Sequence, residues 1–265
     1  MTTKTWIDGT GNWNTAADWN TGTVPGPGDD AVIPFGSVSL TTPVTVGSIS
    51  LTTSSATLGI ADPGGTDAVT GGFSNSGTVG VDFGTSSDTT LTIGGTLTNS
   101  GTGSFNIGYS QLTAASMVTA AGLSNSGTIN LVGGFVGGNS GQATLDIVDP
   151  APATWTGSLS LQGPALLEFG SGAITSIASS ATLSVLSGQA HVAPQSDTGT
   201  NSALTQLSNN AGSLSLGNGT TLTTNPGIDF SNGGMVFQNQ AAFTIGGALS
   251  NSGIFTFLEI GRAHV

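Results

Sequence analysis

The sequence of 265 residues contains no cysteine and almost no cationic side chains. Without cysteine, it can form neither a disulfide framework nor a thiolate metal site. Lys and Arg together number 2 against 14 Asp and Glu, which gives a net charge of −12. Because binding to phosphates takes clustered Lys and Arg, we expect no nucleic-acid binding and no attachment to anionic membrane surfaces.

Long apolar runs are also missing. No stretch of about 18 apolar residues is present, so the sequence predicts no membrane-spanning helix. Residues 1–4 lead into Trp6 without the apolar segment of a secretory signal peptide, so we expect any export signal to lie outside this sequence. A helical period of 3.6 residues is absent too, since the nearest candidate, residues 110–117, is too short.

The last seven residues, 259–265, differ in composition from the rest of the chain. They read EIGRAHV and contain the only Arg, Arg262, and one of the two His residues, His264. This string resembles the translation of a sequencing adapter. We therefore expect a non-native tail there, and we assign neither residue a function.

Six short segments share one pattern: an apolar residue, Ser or Thr, Asn, a small residue, and Gly or Ala. Their central residues are Asn75, Asn99, Asn125, Asn209, Asn232 and Asn251. Successive Asn follow one another at a repeat-like spacing, except for one long gap between Asn125 and Asn209. That gap has the length of four further repeats, so we expect degenerate copies within it, such as residues 158–163 and 181–188.

Apolar and small residues alternate around each Asn, which is typical of short strands. Repeats of this length match one coil of a β-solenoid. The sequence thus predicts an all-β fold, a right-handed parallel β-helix with about 19–26 residues per coil. Apolar residues should point inward, and the Asn side chains should stack as a hydrogen-bonded ladder at one corner. Loop excursions are expected near residues 108–117, 149–157 and 188–203.

Residues 5–34 are unlike the repeats, because three Trp residues precede a turn rich in Pro and Gly. The block resembles the opening of large bacterial surface or secreted β-strand-repeat proteins, and it is similar to the start of G8-type domains. The residues that carry this likeness are Trp6, Trp13, Trp19, Val24, Pro25, Gly28, Asp29, Asp30, Val32 and Ile33. The following 220 or so residues match only as generic repeats of the autotransporter-passenger or adhesin-like type.

We divide the chain into a Trp-rich capping region at 1–36, solenoid repeats at 37–258, and the tail at 259–265. In the capping region, clustered Trp side chains can plug the apolar end of the solenoid. The alternative is an exposed platform on which sugar rings stack. Asp29 and Asp30 are expected to cap a turn, and a Ca²⁺ site at these two carboxylates is a second possibility.

Catalytic constellations are hard to find. A polysaccharide lyase needs a cationic base, and Lys4 lies at a terminus that looks disordered. A glycoside hydrolase needs two carboxyl groups at a set separation; the candidates are Asp82 with Asp88 and Asp146 with Asp149, of which Asp146 should point outward from its strand. His191 stands in an irregular segment without a nucleophile nearby. We therefore predict no catalytic, cofactor-binding or metal-binding residues.

The resulting expectation is a structural or adhesive segment of a large exported bacterial repeat protein. Its location would be extracellular or at the cell surface, and its partners would be surface glycans or other cells. The alternative is a glycan-binding or glycan-active β-helix whose decisive residues lie outside this sequence.

Overall fold

The computed structural model describes residues 2–84 and 88–258. Within them the chain forms short parallel strands that stack as a β-solenoid, together with two single-turn 3-10 helices at Ala16–Asp18 and Ser202–Leu204. The all-β solenoid prediction is confirmed. The predicted tail, 259–265, lies outside the described residues.

The strands are two to ten residues long. In the first half of the chain they are β1 (Thr3–Thr5), β2 (Thr10–Asn12), β3 (Asp30–Ile33), β4 (Gly36–Leu40), β5 (Thr45–Val46), β6 (Ser48–Leu51), β7 (Ala56–Ile60), β8 (Thr66–Val69), β9 (Phe73–Asn75), β10 (Thr78–Val81), β11 (Thr90–Asn99), β12 (Ser104–Gly108), β13 (Ser116–Asn125) and β14 (Thr128–Val132). In the second half they are β15 (Ala143–Ile147), β16 (Thr154–Trp155), β17 (Ser158–Gln162), β18 (Ala165–Phe169), β19 (Ser176–Ile177), β20 (Thr182–Val185), β21 (Ala190–Pro194), β22 (Asn209–Asn210), β23 (Ser213–Gly217), β24 (Thr221–Thr223), β25 (Phe230–Asn232), β26 (Met235–Asn239), β27 (Ala242–Thr244), β28 (Leu249–Asn251) and β29 (Ile254–Leu258).

Two eleven-stranded parallel sheets form the main walls of the solenoid. The first sheet follows the order β1-β3-β6-β9-β11-β13-β15-β18-β21, with β5 and β8 beside it. The second sheet follows the order β2-β4-β7-β10-β12-β14-β17-β20-β23-β26-β29. Two smaller sheets, β16-β19-β22-β25-β28 and β24-β27, complete the later coils. One coil is hereafter the step from one strand of the second sheet to the next.

Coil length varies more than the repeat spacing predicts. The step from Met235 to Ile254 is the shortest, and the step from Thr182 to Ser213 is the longest and exceeds the predicted range. The long gap between successive repeat Asn residues contains three coils rather than four, because Thr128 is followed in register by Ser158, Thr182 and Ser213. The gap is long because loops lengthen two of these coils, not because an extra copy is present.

Alternating side chains fill one continuous apolar core. In β14, Ile129 and Leu131 are fully buried, whereas Thr128 and Asn130 point outward. Stacking in register places Ile129 against Phe105 and Leu159 of the neighbouring coils. Since each buried aliphatic or aromatic side chain contributes about 1.5–3 kcal/mol, the core is the main source of stability in this lightly charged chain.

The Asn corner forms two ladders instead of one. The Asn75 amide donates to Asn99 Oδ1 at 2.8 Å, and the Asn99 amide donates to Asn125 Oδ1 at 2.9 Å. The second ladder runs from Asn210 through Asn232 to Asn251, with distances of 2.8 and 2.7 Å. The predicted ladder of stacked Asn side chains is confirmed, in two separate runs.

One member of the Asn set was predicted wrongly. Asn210, and not Asn209, is the buried ladder residue in that repeat, while Asn209 is exposed. Ile177 and Trp155 occupy the positions in register with Asn210 in the two preceding coils. Because Ile177 in the adjacent coil has no polar side-chain group, the buried Asn210 Oδ1 has no partner among the described atoms, and the ladder stops there.

The three N-terminal Trp side chains plug the solenoid. Trp6, Trp13 and Trp19 are at most 1% exposed. Trp19 packs edge-on against Trp6 and Trp13, with ring centroids 5.3 and 4.9 Å away, and its indole N–H donates to the Trp13 carbonyl at 2.8 Å. With the rings buried, these indoles form a cap and are not accessible as a platform for sugars.

The loop excursions agree only in part with the expectation. The loop between β12 and β13 lies within the predicted 108–117 region. Parts of the other two predicted regions are strands, namely β16 and β21. The excursion after β21 contains the second 3-10 helix and joins β22 at Asn209.

Candidate functional site

Two carboxylates lie side by side on the outer face of the first sheet. Asp146 of β15 is in register with Glu168 of β18, and in-register neighbours on parallel strands point to the same face about 4.8 Å apart. Buried Leu145 and Ile147 flank Asp146, which confirms that its side chain points outward. The sheet register therefore creates an acidic pair across two coils.

The segment after β21 covers this pair partly. Gln195 reaches back so that its Nε2 donates to Asp146 Oδ1 at 3.1 Å, and Ala193, next to Glu168 in the same row, is fully buried. Burial raises the pKa of Glu168, and the neighbouring charge of Asp146 raises it further. A raised carboxyl pKa favours the protonated form, which is the form that general acid catalysis uses.

His191 lies two positions along the strand from the row that contains this acidic pair. It belongs to strand β21, in register with Leu166, so its predicted place in an irregular loop is wrong. Burial lowers the pKa of His191, although the nearby charge of Asp197 acts in the opposite direction. Its Nδ1 is buried without a hydrogen-bond partner among the described residues.

The carboxylate pairs considered from the sequence do not come together as reacting pairs. Both oxygens of Asp82 accept hydrogen bonds from Thr89, one from its N–H at 2.9 Å and one from its hydroxyl at 2.7 Å. Asp88 stays exposed. Asp149 follows the end of β15 and is exposed, whereas Asp146 lies within the strand. The partner of Asp146 is thus Glu168, a residue that the sequence analysis missed.

The signal for Glu168 was present in the spacing. The separation of Asp146 and Glu168 along the sequence falls within the predicted range of one coil. A search for acidic residues one coil apart would have found this pair, while a search for local spacing cannot.

Near the N-terminal cap, the Asp29 carboxylate forms an ion pair with a side chain of the same protein, Lys4. Lys4 Nζ lies 2.9 Å from Asp29 Oδ2 and donates to the Val24 carbonyl at 2.8 Å. The hydrogen bond that Lys4 donates to the Asp29 carboxylate lowers the pKa of Asp29, and a hydrogen bond from the Gly26 N–H lowers it further. Lys4 is a buried member of β1, so the expectation of a disordered terminus is wrong.

Asp30, the second candidate Ca²⁺ ligand, accepts a hydrogen bond from the Ser48 hydroxyl at 2.7 Å. Across the ranges 2–84 and 88–258, no group of three or more His, Asp or Glu side chains has an arrangement that could hold a metal ion. The Asp29–Asp30 pair acts instead as a turn and ion-pair element of the cap.

A second acidic pair is buried inside the wall of the solenoid. Asp62 and Asp67 are 4% and 1% exposed, and each has one carboxylate oxygen without a partner in the described part of the chain. Burial raises the pKa of both groups, that of Asp67 to about 6, with a further contribution from the charge of Asp62. Two buried carboxyl groups with raised pKa values make this region sensitive to pH.

No family model, no curated protein and no solved structure matches this chain. Among the described residues, no helix is long and apolar enough to cross a membrane.

Proposed function

We propose that this chain is a rigid structural and adhesive segment of a large exported bacterial repeat protein, acting as a stalk at the cell surface. The observation that supports the proposal most directly is the unbroken second sheet, whose eleven strands share one apolar core. Ten steps of about 4.8 Å give a rod of roughly 50 Å. Its length depends on the number of coils, as a spacer requires.

The surface chemistry supports the same role. The outer residues of the second sheet are mostly Ser, Thr, Asn and Gly, and the net charge is −12. A surface of this kind is soluble and resists association. The plugged N-terminal end leaves no open apolar core there for unspecific pairing.

Dye labelling tests the spacer role, since a chain without cysteine accepts two introduced labels without background. Cysteine replacements at Thr2 and Thr256 should report by energy transfer a single narrow distance of about 50 Å, the length of the stacked coils. A broad or much shorter distance would contradict a rigid spacer. In cells, replacing the segment by an unstructured linker of equal residue number should lower adhesion, and unchanged adhesion would count against the proposal.

The acidic pair Asp146–Glu168 favours glycan hydrolysis as a second candidate. The two residues are in register on neighbouring strands about 4.8 Å apart, which is near the carboxyl separation of about 5–5.5 Å that retaining glycosidases use. Release of reducing ends from a neutral polysaccharide, abolished in Glu168→Gln and retained in Asp149→Asn, would establish this activity. The absence of any turnover would leave the stalk as the proposed function.

A further inference from the structure

A groove of about 360 Å³ lies at the corner where four successive coils leave the second sheet. This volume is at the small end of the range for ligand sites, about 300–1,000 Å³. The four coils are roughly 14 Å apart from first to last at about 4.8 Å per step. Its lining residues are Phe135, Gln162, Gly163, Leu186, Ser187 and Asn218.

Phe135 is held firmly although its ring is exposed. The N–H groups of Phe135 and Val136 both donate to the Ser110 carbonyl at 2.9 Å, which fixes the loop after β14. The ring is nevertheless 51% exposed. An exposed aromatic ring on a fixed backbone offers apolar contact area at a low cost in conformational entropy, because only two side-chain torsions remain to be ordered.

Glycine at position 163 is required for this arrangement. Gly163 has φ +62°, and a Cβ atom there would lie 2.8 Å from Phe135 Cδ1. One edge of the ring therefore rests on the backbone of the next coil, and the rest of the ring faces the groove. Both the conformation and the close approach exclude other residues at 163.

Polar side chains that keep unused hydrogen-bond donors or acceptors line the groove beside the ring. The Gln162 amide has no hydrogen-bond partner in the described part of the chain, so it offers both donors and an acceptor. Asn218 Nδ2 donates to the Leu186 carbonyl at 3.1 Å, which fixes the side chain and leaves its Oδ1 available. The Ser187 hydroxyl accepts from the Gln189 N–H at 3.2 Å and keeps its own proton to donate.

The charge of the protein and the hydrogen bonds already made by its backbone exclude two classes of ligand, polyanions and extended peptides. The lining contains no charged side chain, and the net charge of −12 repels polyanions. An extended peptide would need free backbone groups. The N–H groups of Gly133, Leu186 and Gly188 already donate to Gln162, Leu161 and Asn218 carbonyls of neighbouring coils.

We propose that this groove binds a neutral oligosaccharide, with one sugar ring stacked on Phe135 and its hydroxyl groups bonded to Gln162, Asn218 and Ser187. An aromatic face beside uncharged amide and hydroxyl groups matches a sugar, which is apolar on its ring faces and polar around its edge. The site goes beyond the stalk role and does not depend on it.

Calorimetric titration of the whole chain tests the site. The probes are cellotetraose, maltotetraose and mannotetraose, with tetragalacturonate as the anionic comparison and tetraethylene glycol as the comparison without sugar rings. At least one neutral tetrasaccharide should bind, and the two comparison compounds should not. Failure of all three neutral sugars, or equal binding of tetragalacturonate or the glycol, would overturn the proposal.

Variants locate the binding to the groove. Phe135→Ala should weaken the affinity by about tenfold, while Phe135→Tyr, which keeps the ring, should retain it. Gln162→Leu should also weaken binding and should not affect folding, because this amide bonds to no described residue. Phe83→Ala removes another exposed ring, 62% accessible, and should leave the affinity unchanged. Wild-type affinity in both Phe135→Ala and Gln162→Leu would contradict the proposed site. The energy-transfer distance between labels at residues 2 and 256 tests the stalk role separately.

Discussion

Asp67 provides a sharp test of how burial controls the stability of this solenoid. Its side chain is 1% exposed, with Oδ1 accepting from the Val44 N–H at 3.0 Å and Oδ2 without a partner among the described atoms. Burial raises the pKa of Asp67 from 3.8 to about 6, the Val44 N–H opposes this rise, and the charge of Asp62 adds to it. The folded state thus prefers the neutral carboxyl group.

The direction of the pH effect follows from this raised pKa. Below about pH 4 the carboxyl group is protonated in both states, so its contribution to stability is fully present. As the pH rises to about 6 and above, ionisation favours the unfolded state, and stability is lost. The gap between the two pKa values corresponds to about 3 kcal/mol, which solvent screening reduces to roughly 2 kcal/mol.

Asp67→Asn should recover this loss. The amide stays neutral at every pH, keeps an acceptor for the Val44 N–H, and has nearly the same volume. We expect the free energy of unfolding to increase by roughly 2 kcal/mol at pH 7.5 and to change little at pH 4.

Urea unfolding at pH 4, 5, 6 and 7.5 measures this difference. Asp149→Asn, which neutralises an exposed carboxylate, is the control and should change stability by less than about 0.5 kcal/mol at each pH. An Asp67→Asn gain that is equal at pH 4 and pH 7.5, or a loss at pH 7.5, would refute the burial argument.

Two further predictions concern the ladder and the cap. Asn99→Ala removes side-chain bonds to both neighbouring coils and should cost about 1–3 kcal/mol in urea unfolding. Asn251→Ala, an exposed ladder end, should cost less than about 1 kcal/mol, and equal costs would argue against a ladder whose inner members hold more bonds. Trp19→Ala empties the plug and should cost about 3–5 kcal/mol, against less than about 0.5 kcal/mol for exposed Phe83→Ala. A small effect of Trp19→Ala on the thermal midpoint would show that the plug is dispensable.

The coil architecture was predictable because it repeats. Alternation places Ile129 and Leu131 inward without reference to any other part of the chain, and the recurring Asn marks one corner in two runs of coils. The Trp cap was also predictable as one of two readings, since an apolar solenoid must close its end. Burial of Trp6, Trp13 and Trp19 decides between them.

Features that depend on register were not predictable from local patterns. In the repeat at 207–211 the residues before the Asn select Asn209, whereas the residues after it, Ala211 and Gly212, fit Asn210. Only pairing with Asn232 selects Asn210. The two coils before it carry Trp155 and Ile177 at the ladder position, so no Asn marked them. Loops that lengthen the steps from Thr128 to Ser158 and from Thr182 to Ser213 then made three coils look like four.

The acidic pair and the groove depend on register in the same way. Glu168 meets Asp146 only because β15 and β18 are adjacent, and the groove collects residues from four coils. Lys4 is buried because it meets Asp29, which immediately precedes the neighbouring strand β3. Such contacts follow from the stacking of coils rather than from neighbours in the sequence.

Deletion of one whole coil tests the central claim that the coil is the unit of this structure. Removal of residues 158–181 joins Gly157 to Thr182, which is in register with Ser158 of the preceding coil, so every remaining side chain keeps its inward or outward direction. Removal of 158–180, one residue fewer, shifts the register and turns apolar side chains outward.

The measurement is cooperative urea unfolding of both deletion variants, followed by circular dichroism. We predict that the variant lacking 158–181 retains a cooperative β transition and a rod shortened by about 5 Å, while the variant lacking 158–180 loses the transition. Equal stability of the two variants, or collapse of both, would contradict a solenoid built from interchangeable coils.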